Sequence, residues 1–230
     1  MTLKNIDSSE LVALDDFTGT HPLKVDLVYA QPRHPENMFK TAIYRPDAKM
    51  WGHREMVAII LTAAELCFKE TSWAFAVKDC LRTVEAQALM TETEIVRAHP
   101  QWLEEPGRLL SPPGRGGHPR GMAVDIALVD QNGDDIDMGV PFDYLTEDRH
   151  NNPAARDYTR FCDDEARNQR ILHHRRVLEK SMLQAARAAE RELVPLPQEW
   201  WDFRFPHAYT SLFAPIHDAD LPPEMRMTAL

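Results

Sequence analysis

The segment between residues 104 and 121, EEPGRLLSPPGRGGHPRG, limits the folds open to this chain more than any other stretch. It contains four of the 17 prolines and five of the nine glycines, which excludes a regular helix or strand. Loops this long are usually functional or disordered. The loop runs directly into MAVDIAL, residues 122–128, whose apolar side chains predict a buried strand. A loop side chain can therefore lie close to a strand of the core.

Periodicity divides the rest of the chain into strands and helices. Strands are predicted at residues 24–30, at 72–81 ending at Arg82, and on both sides of a turn at Asn132 and Gly133. Helices are predicted at residues 53–70, at 83–99 with Thr83 as N-cap, and at 157–193. This order predicts an α+β fold in which a small, mostly antiparallel sheet packs against helices, as a single domain spanning residues 1–230.

Composition excludes several classes of protein. A formal net charge of −10 disfavours a general nucleic-acid binder, because phosphates are met by basic surfaces. No apolar run is long enough to cross a bilayer, and the first residues lack the apolar core of a signal peptide. Cys67, Cys80 and Cys162 form no CxxC pair, so we expect free thiols in a reducing compartment. These features predict a cytoplasmic protein with no membrane or nucleic-acid partner.

Asp125 is the first candidate for chemistry. It stands in the otherwise apolar strand MAVDIAL, where a buried carboxylate must be hydrogen-bonded, paired or bound to metal. His118, at the end of the glycine-rich loop, is close enough in sequence to reach the same point. Zinc accepts this pair of ligand types, and a purely structural aspartate is the alternative.

Two further residues could complete such a site. Glu199 precedes two tryptophans in EWWDF, and desolvation there would raise its pKa toward that of a general base. Arg82 could stabilise a developing oxyanion. Each could instead take part in an ordinary salt bridge. Asp202 follows the tryptophans in a stretch with prolines at both ends, and this pattern predicts a short buried strand. A buried carboxylate at Asp202 also needs a partner.

These segments together resemble one family, the VanX-type D-alanyl-D-alanine dipeptidases of the zinc peptidase group M15. VDLVYA with ENMF and IY resembles the amino-terminal stretch of that family, and the strand ending in Arg82 resembles its arginine-bearing strand. GGHPRGMAVDIAL resembles the SxHxxGxAxD signature, DMGVPFDYLTE the MGTxFDxxxE run, and EWWDF the EWWHF segment. The order and spacing of the segments agree over most of the chain.

The resemblance implies a fold of the M15 type and a catalytic zinc with His118 and Asp125 as ligands. It also implies that Glu199 is the general base toward a metal-activated water and that Arg82 stabilises the transition state. Asp143 falls where the family has an acid that holds the substrate ammonium. The implied substrate is D-Ala-D-Ala or a related small peptide derived from peptidoglycan of the cell wall.

Two positions depart from the family pattern. The third metal ligand of the family is the histidine of EWWH, and here that position is Asp202. We expect Asp202 to complete the site, with His207 as the alternative third ligand. A second carboxylate makes the ligand set more negative and favours harder ions such as manganese or magnesium. Gly116 replaces the serine two residues before the ligand histidine, which puts the substrate in doubt.

The first hypothesis is therefore a metal-dependent hydrolase of a small D-amino-acid peptide, with both tryptophans walling the site. The alternative is a descendant that binds a ligand or serves biosynthesis, having kept the pocket and lost or changed the metal. The oligomeric state is not encoded in these patterns.

Overall fold

In the computed structural model, which describes residues 2–105 and 108–229, the central feature is a five-stranded sheet. Its strands are β2 (Leu23–Val25), β4 (Ala74–Asp79), β5 (Ala123–Val129), β6 (Val194–Pro195) and β7 (Asp202–Arg204), in the order β2-β4-β5-β7-β6. Only β2 and β4 run parallel, and the other neighbours are antiparallel. A separate antiparallel pair joins β1 (Leu11–Ala13) to β3 (Trp51–His53).

Five α-helices accompany the sheets within the described residues: α1 (Arg54–Thr71), α2 (Val84–Thr91), α3 (Glu94–Ala98), α4 (Glu165–Ala188) and α5 (His207–Thr210). The two long helices pack against each other, and α1 also contacts β4. The buried face of α1 carries Met56, Ile59, Ile60, Ala63, Ala64 and Cys67, the residues whose spacing predicted it. The α+β class and the mostly antiparallel sheet are confirmed.

Several predicted boundaries were wrong. The strand at residues 24–30 ends at Val25, and a 3-10 turn at Val28–Ala30 follows it. The helix predicted at 83–99 keeps its Thr83 cap but splits into α2 and α3. It splits because the Thr91 and Thr93 hydroxyls donate to the carbonyls of Ala88 and Met90, at 2.7 and 2.8 Å.

The second strand of the predicted hairpin after β5 does not form. The Asp130 carboxylate accepts hydrogen bonds from the backbone N–H groups of Asn132 and Asp134, which closes a turn. Beyond it, Asp135 makes only an isolated bridge to Val129. The long helix predicted at 157–193 begins only at Glu165, where Asp164 caps it, and ends at Ala188.

The glycine-rich segment is a loop through Gly117, except for residues 106 and 107, which lie outside the described residues. It ends in a 3-10 turn at His118–Arg120, immediately before β5. All three cysteines are free, with Cys67 and Cys80 buried. No helix in the described part of the chain has the length and apolar character needed to span a bilayer.

Candidate active site

A cavity of about 430 Å³ lies where β4, β5 and β7 meet the loop that precedes β5. This volume is typical of pockets that bind small molecules. The six site residues predicted from the sequence all line it: Arg82, His118, Asp125, Asp143, Glu199 and Asp202. Trp201 lines it as well, but Trp200 does not and borders a separate hollow. The alternative that His207 is the third ligand does not agree with the structure. His207 begins α5 as an exposed residue and does not line the cavity.

Three aspartates lie side by side across three neighbouring strands. In the strand register Asp79 of β4 pairs with Asp125 of β5, which in turn pairs with Asp202 of β7. All three are buried. Like charges directly opposite one another are destabilising, so each carboxylate needs its own compensation.

Asp79 is fully compensated. Its Oδ2 accepts from Nε and Nη2 of Arg82 at 2.8 and 2.5 Å, and its Oδ1 accepts from the Tyr44 hydroxyl and the Cys80 backbone N–H. Asp79, His118 and Asp125 form a cluster that could hold a metal ion, but each Asp79 oxygen already accepts two hydrogen bonds. Asp79 therefore fixes the guanidinium of Arg82 at the cavity wall.

Asp202 is compensated by Arg204, two residues further along β7. Nε of Arg204 donates to Oδ1 of Asp202 at 2.7 Å, and its Nη2 pairs with Oδ2. Burial alone would raise the pKa of Asp202, but Arg204 outweighs burial and holds the pKa well below its usual value.

Asp125 has no arginine of its own. Its Oδ1 is buried and has no hydrogen-bond partner among the described residues. Its Oδ2 lies 3.6 Å from His118 Nε2 and 3.7 Å from Nη2 of Arg82. Burial raises the pKa of Asp125, and the neighbouring His118 opposes that rise. The central carboxylate of the row is thus the one without a hydrogen-bonded arginine, and its Oδ1 has no partner among the described residues.

His118 points one particular nitrogen at this carboxylate. Its Nδ1 lies 2.9 Å from the carbonyl oxygen of Cys80, which can only accept, so Nδ1 carries a proton. Nε2 faces Asp125 Oδ2 and, at 3.4 Å, Asp202 Oδ2. Burial lowers the pKa of His118, but Asp125 and Asp202 outweigh it and raise the pKa to about 10.

Two distances among these atoms match those between ligands of one divalent cation. Ligands about 2.1 Å from zinc at the corners of a tetrahedron lie about 3.4 Å apart. His118 Nε2 is 3.6 Å from Asp125 Oδ2 and 3.4 Å from Asp202 Oδ2. The hydrogen bond from Nδ1 to the Cys80 carbonyl fixes the orientation of the ring, as such a bond usually does for a histidine that binds a metal. Oδ1 of Asp125 has no hydrogen-bond partner among the described residues, so its negative charge could be balanced by a bound cation.

Glu199 joins the same group. A carboxylate oxygen of Glu199 lies within 4.8 Å of carboxylate oxygens of Asp125 and Asp202. Residues three apart in a strand point to opposite faces, but β7 begins only at Asp202, and Glu199 lies in the turn before it. Burial, followed by Asp202 and Asp125, raises the pKa of Glu199 to about 8.

Asp143 also lines the cavity. It adopts a left-handed backbone conformation, with φ of 62°, and its Oδ2 accepts a hydrogen bond of 2.8 Å from the buried Tyr29 hydroxyl. Burial raises the pKa of Asp143 to about 7, although the Tyr29 hydrogen bond acts against the rise.

Gly116 lies on the rim of the cavity with φ of 87°, and no atom stands within 4 Å of the Cβ position. A serine there would have space but an unfavourable backbone conformation, so the loop differs from one that carries serine.

Two residues of the site, Asp79 and Arg204, were not identified from the sequence. Asp79 stands in a buried strand, as Asp125 does, and the same argument about buried carboxylates would have identified it. Arg204 gave a weaker signal, namely its position two residues from Asp202 on a strand, which places both side chains on one face.

Comparisons with known proteins show which family the chain resembles. A family model described as D-Ala-D-Ala dipeptidase, Peptidase_M15, matches residues 7–218. The D-alanyl-D-alanine dipeptidase of Escherichia coli (strain K12) is 25% identical over 208 residues, which cover 88% of each chain. Among solved structures, that of the Serratia marcescens L-Ala D-Glu endopeptidase ChiX covers 69% of this chain and 83% of its own, with 14% identity and a TM-score of 0.38.

Proposed function

Because this chain belongs to the Peptidase_M15 family of D-Ala-D-Ala dipeptidases, we propose that it is a metal-dependent hydrolase of D-Ala-D-Ala or a related small peptide. Family membership and the Escherichia coli relative support peptide hydrolysis. The observation that carries the metal requirement is the row of three aspartates, in which Asp79 and Asp202 are hydrogen-bonded to arginines, whereas the central Asp125 is not and faces His118.

His118 Nε2, Asp125 and Asp202 would hold the ion, and zinc is the first candidate from the donor set. A bound divalent cation would lower the pKa of a water molecule and polarise the scissile carbonyl.

Glu199 is the residue that moves the proton. As a carboxylate it takes the proton released by the attacking water and then donates it to the leaving amine. Its pKa is raised to about 8 by burial and by the two nearby aspartates, and an added positive charge would lower that pKa toward neutrality. Glu199 can therefore both accept and release a proton near neutral pH.

Arg82 and Asp143 act on the substrate. The Arg82 guanidinium, held rigidly by Asp79, lines the cavity and can stabilise the oxyanion that develops from the carbonyl. Asp143, which also lines the cavity, can bind the substrate ammonium. Trp201 forms an apolar wall of the cavity and limits access of water.

We also propose the cytoplasm as the compartment, supported by the three unpaired cysteines. A small peptide is the only partner that this proposal requires.

The proposal is tested by assaying D-alanine release from D-Ala-D-Ala after metal removal and reloading with zinc, manganese, cobalt or magnesium in turn. We expect turnover with at least one ion and none in the stripped protein. Absence of turnover with every ion would contradict hydrolysis of this dipeptide, and a panel of D-amino-acid dipeptides then tests the wider substrate class. Turnover in the stripped protein would contradict the metal requirement.

The variant Glu199→Gln tests the role of the base separately. We expect turnover to fall by about 10³-fold, because an amide cannot accept the proton, while metal content stays at the native level. Elemental analysis of the same sample measures the metal. Loss of metal from this variant would contradict the assignment, because it would make Glu199 a ligand.

A further inference from the structure

The carboxylate of Asp202 is held in a fixed geometry by Arg204. The two residues lie two apart on β7, so their side chains share a face of the strand. The guanidinium contacts both carboxylate oxygens, through Nε to Oδ1 and Nη2 to Oδ2. The Asp202 side chain is only 1% exposed, whereas that of Arg204 is 26% exposed. This paired arrangement is the strong, oriented form of the arginine–carboxylate interaction.

The contact leaves Asp202 able to bind a cation. Each carboxylate oxygen offers two lone pairs, so Oδ2 can accept from Arg204 and still direct a lone pair toward the centre of the site. Oδ2 is also the oxygen that lies 3.4 Å from Nε2 of His118. Arg204 therefore orients the same oxygen that the metal would use.

The pair also changes the charge of the site. A ligand set of His118, Asp125 and Asp202 balances a divalent cation to a net charge of zero. Adding the Arg204 guanidinium returns that total to one positive charge, which equals the total for two histidines and one aspartate. The aspartate and its arginine together thus carry the same formal charge as one neutral histidine.

We propose that Asp202 and Arg204 act as one neutral ligand unit, in which Arg204 is a positioning residue that keeps the site selective for zinc over harder ions. This inference rests on the proposed metal-dependent function and reverses the expectation from the sequence that the extra carboxylate favours manganese or magnesium. Without the arginine, the additional negative charge favours hard cations, whose preferred ligands are carboxylates. With it, the donor set is electrostatically that of a zinc site.

The test measures the affinities of the metal-stripped, full-length protein for Zn²⁺ and for Mn²⁺ by calorimetry, with a competing chelator where binding is tight. We expect Arg204→Gln to lower the ratio of zinc affinity to manganese affinity by about tenfold or more. Arg204→Lys keeps the charge but loses the two-point contact, so the ratio should fall less than in Arg204→Gln and stay within about threefold of the native value. Arg191→Gln is the matched control, because it removes an arginine from an exposed pair with Glu55 and changes the net charge equally.

A double variant removes the dependence on any single substitution. If Asp202 and Arg204 form one unit, Asp202→His alone leaves an uncompensated arginine and weakens zinc binding. Combining Asp202→His with Arg204→Gln should then restore zinc affinity by about tenfold or more over the single variant. If Arg204 has only a structural role, the double variant should bind zinc more weakly than Asp202→His alone, because the second substitution would destabilise the site further.

The outcomes separate the two proposals. Suppose that the native chain binds zinc. If the ratio of zinc to manganese affinity is then unchanged in Arg204→Gln, or shifts equally in Arg204→Lys and Arg204→Gln, the role of Arg204 is overturned and the proposed metal-dependent function stands. If the native chain binds neither ion while the double variant binds zinc, both this inference and the proposed metal-dependent function fail. A restored affinity in the double variant together with the shift in Arg204→Gln supports the unit.

Discussion

Arginine partners determine what each acid of the site can do. Asp79 is saturated by Arg82, Tyr44 and a backbone N–H, which suits it to hold a guanidinium and not a metal. Asp125 lacks such donors, and its buried Oδ1 has no partner within the described residues, which suits it to bind a cation. Residues of one type thus take different roles because their hydrogen-bond partners differ.

Asp143 offers a test of substrate binding at the scale of one residue. Its pKa is raised to about 7 by burial, with Tyr29 and Arg82 acting against the rise and Asp125 adding to it. The carboxyl must lose its proton before it can pair with an ammonium group. The KM for a dipeptide with a free amino group should therefore fall about fivefold or more between pH 6 and 7.5.

The variant Asp143→Asn should raise that KM and remove its pH dependence. Asparagine tolerates the left-handed conformation at φ of 62° as aspartate does, so the backbone should be unaffected. An N-acetylated dipeptide, which has no ammonium, serves as the control and should show nearly the same KM in both proteins. A pH dependence that persists in Asp143→Asn would assign it to another group.

At the scale of elements, the turn before β5 positions His118. Gly121 ends the 3-10 turn that carries His118, with φ of 60°, and its carbonyl accepts from the backbone N–H of His53 at 2.9 Å. A Cβ at this position would lie 2.7 Å from the His53 nitrogen. The glycine is therefore required both for the conformation and for the close approach of β3.

We expect Gly121→Ala to lower the free energy of unfolding by about 2–3 kcal/mol and the zinc affinity by about tenfold. Gly133→Ala is the matched control, because Gly133 has φ of 87° but no atom within 4 Å of its Cβ position. The control should lose only about 1 kcal/mol and keep its zinc affinity. Urea unfolding and zinc titration measure the two effects. Equal losses in both variants would mean that crowding against β3 is unimportant.

A sequence motif brings residues together in a prediction where it carries both the residue type and its spacing. His118, Asp125 and Glu199 were predicted this way to share a site, and all three line one cavity of the structure. Arg204 could not be assigned a role, because its partner depends on where β7 begins. The split between α2 and α3 was likewise missed, since it depends on two threonine side chains that bond to the backbone.

At the scale of the whole molecule, the potential metal ligands around Asp26 and those around Asp125 have different electrostatics. Asp26, His34 and Glu36 form a cluster away from the cavity, but the buried ammonium of Lys78 lies 2.7 Å from Asp26 and 2.5 Å from Glu36. A built-in cation already satisfies those acids. In the cluster around Asp125, the guanidinium groups of Arg82 and Arg204 are hydrogen-bonded to Asp79 and Asp202, whereas Asp125 Oδ1 has no partner among the described residues, so an added divalent ion should bind there and not near Lys78.

Metal binding should therefore stabilise the fold through a single site. The residues that would hold the ion come from the turn before β5, from β5 itself and from β7, so the ion joins parts of the chain that separate on unfolding. Zinc at about 100 times its Kd contributes about 2.7 kcal/mol to the native state. For a chain of this size that corresponds to a rise in Tm of about 5–10 °C.

Thermal unfolding with and without zinc measures the rise, and a chelator should reverse it. Asp125→Asn is expected to lose the rise, whereas Glu36→Gln, in the cluster with Lys78, should keep it. A rise that survives in Asp125→Asn and disappears in Glu36→Gln would move the metal to the other cluster and contradict the assignment of the active site.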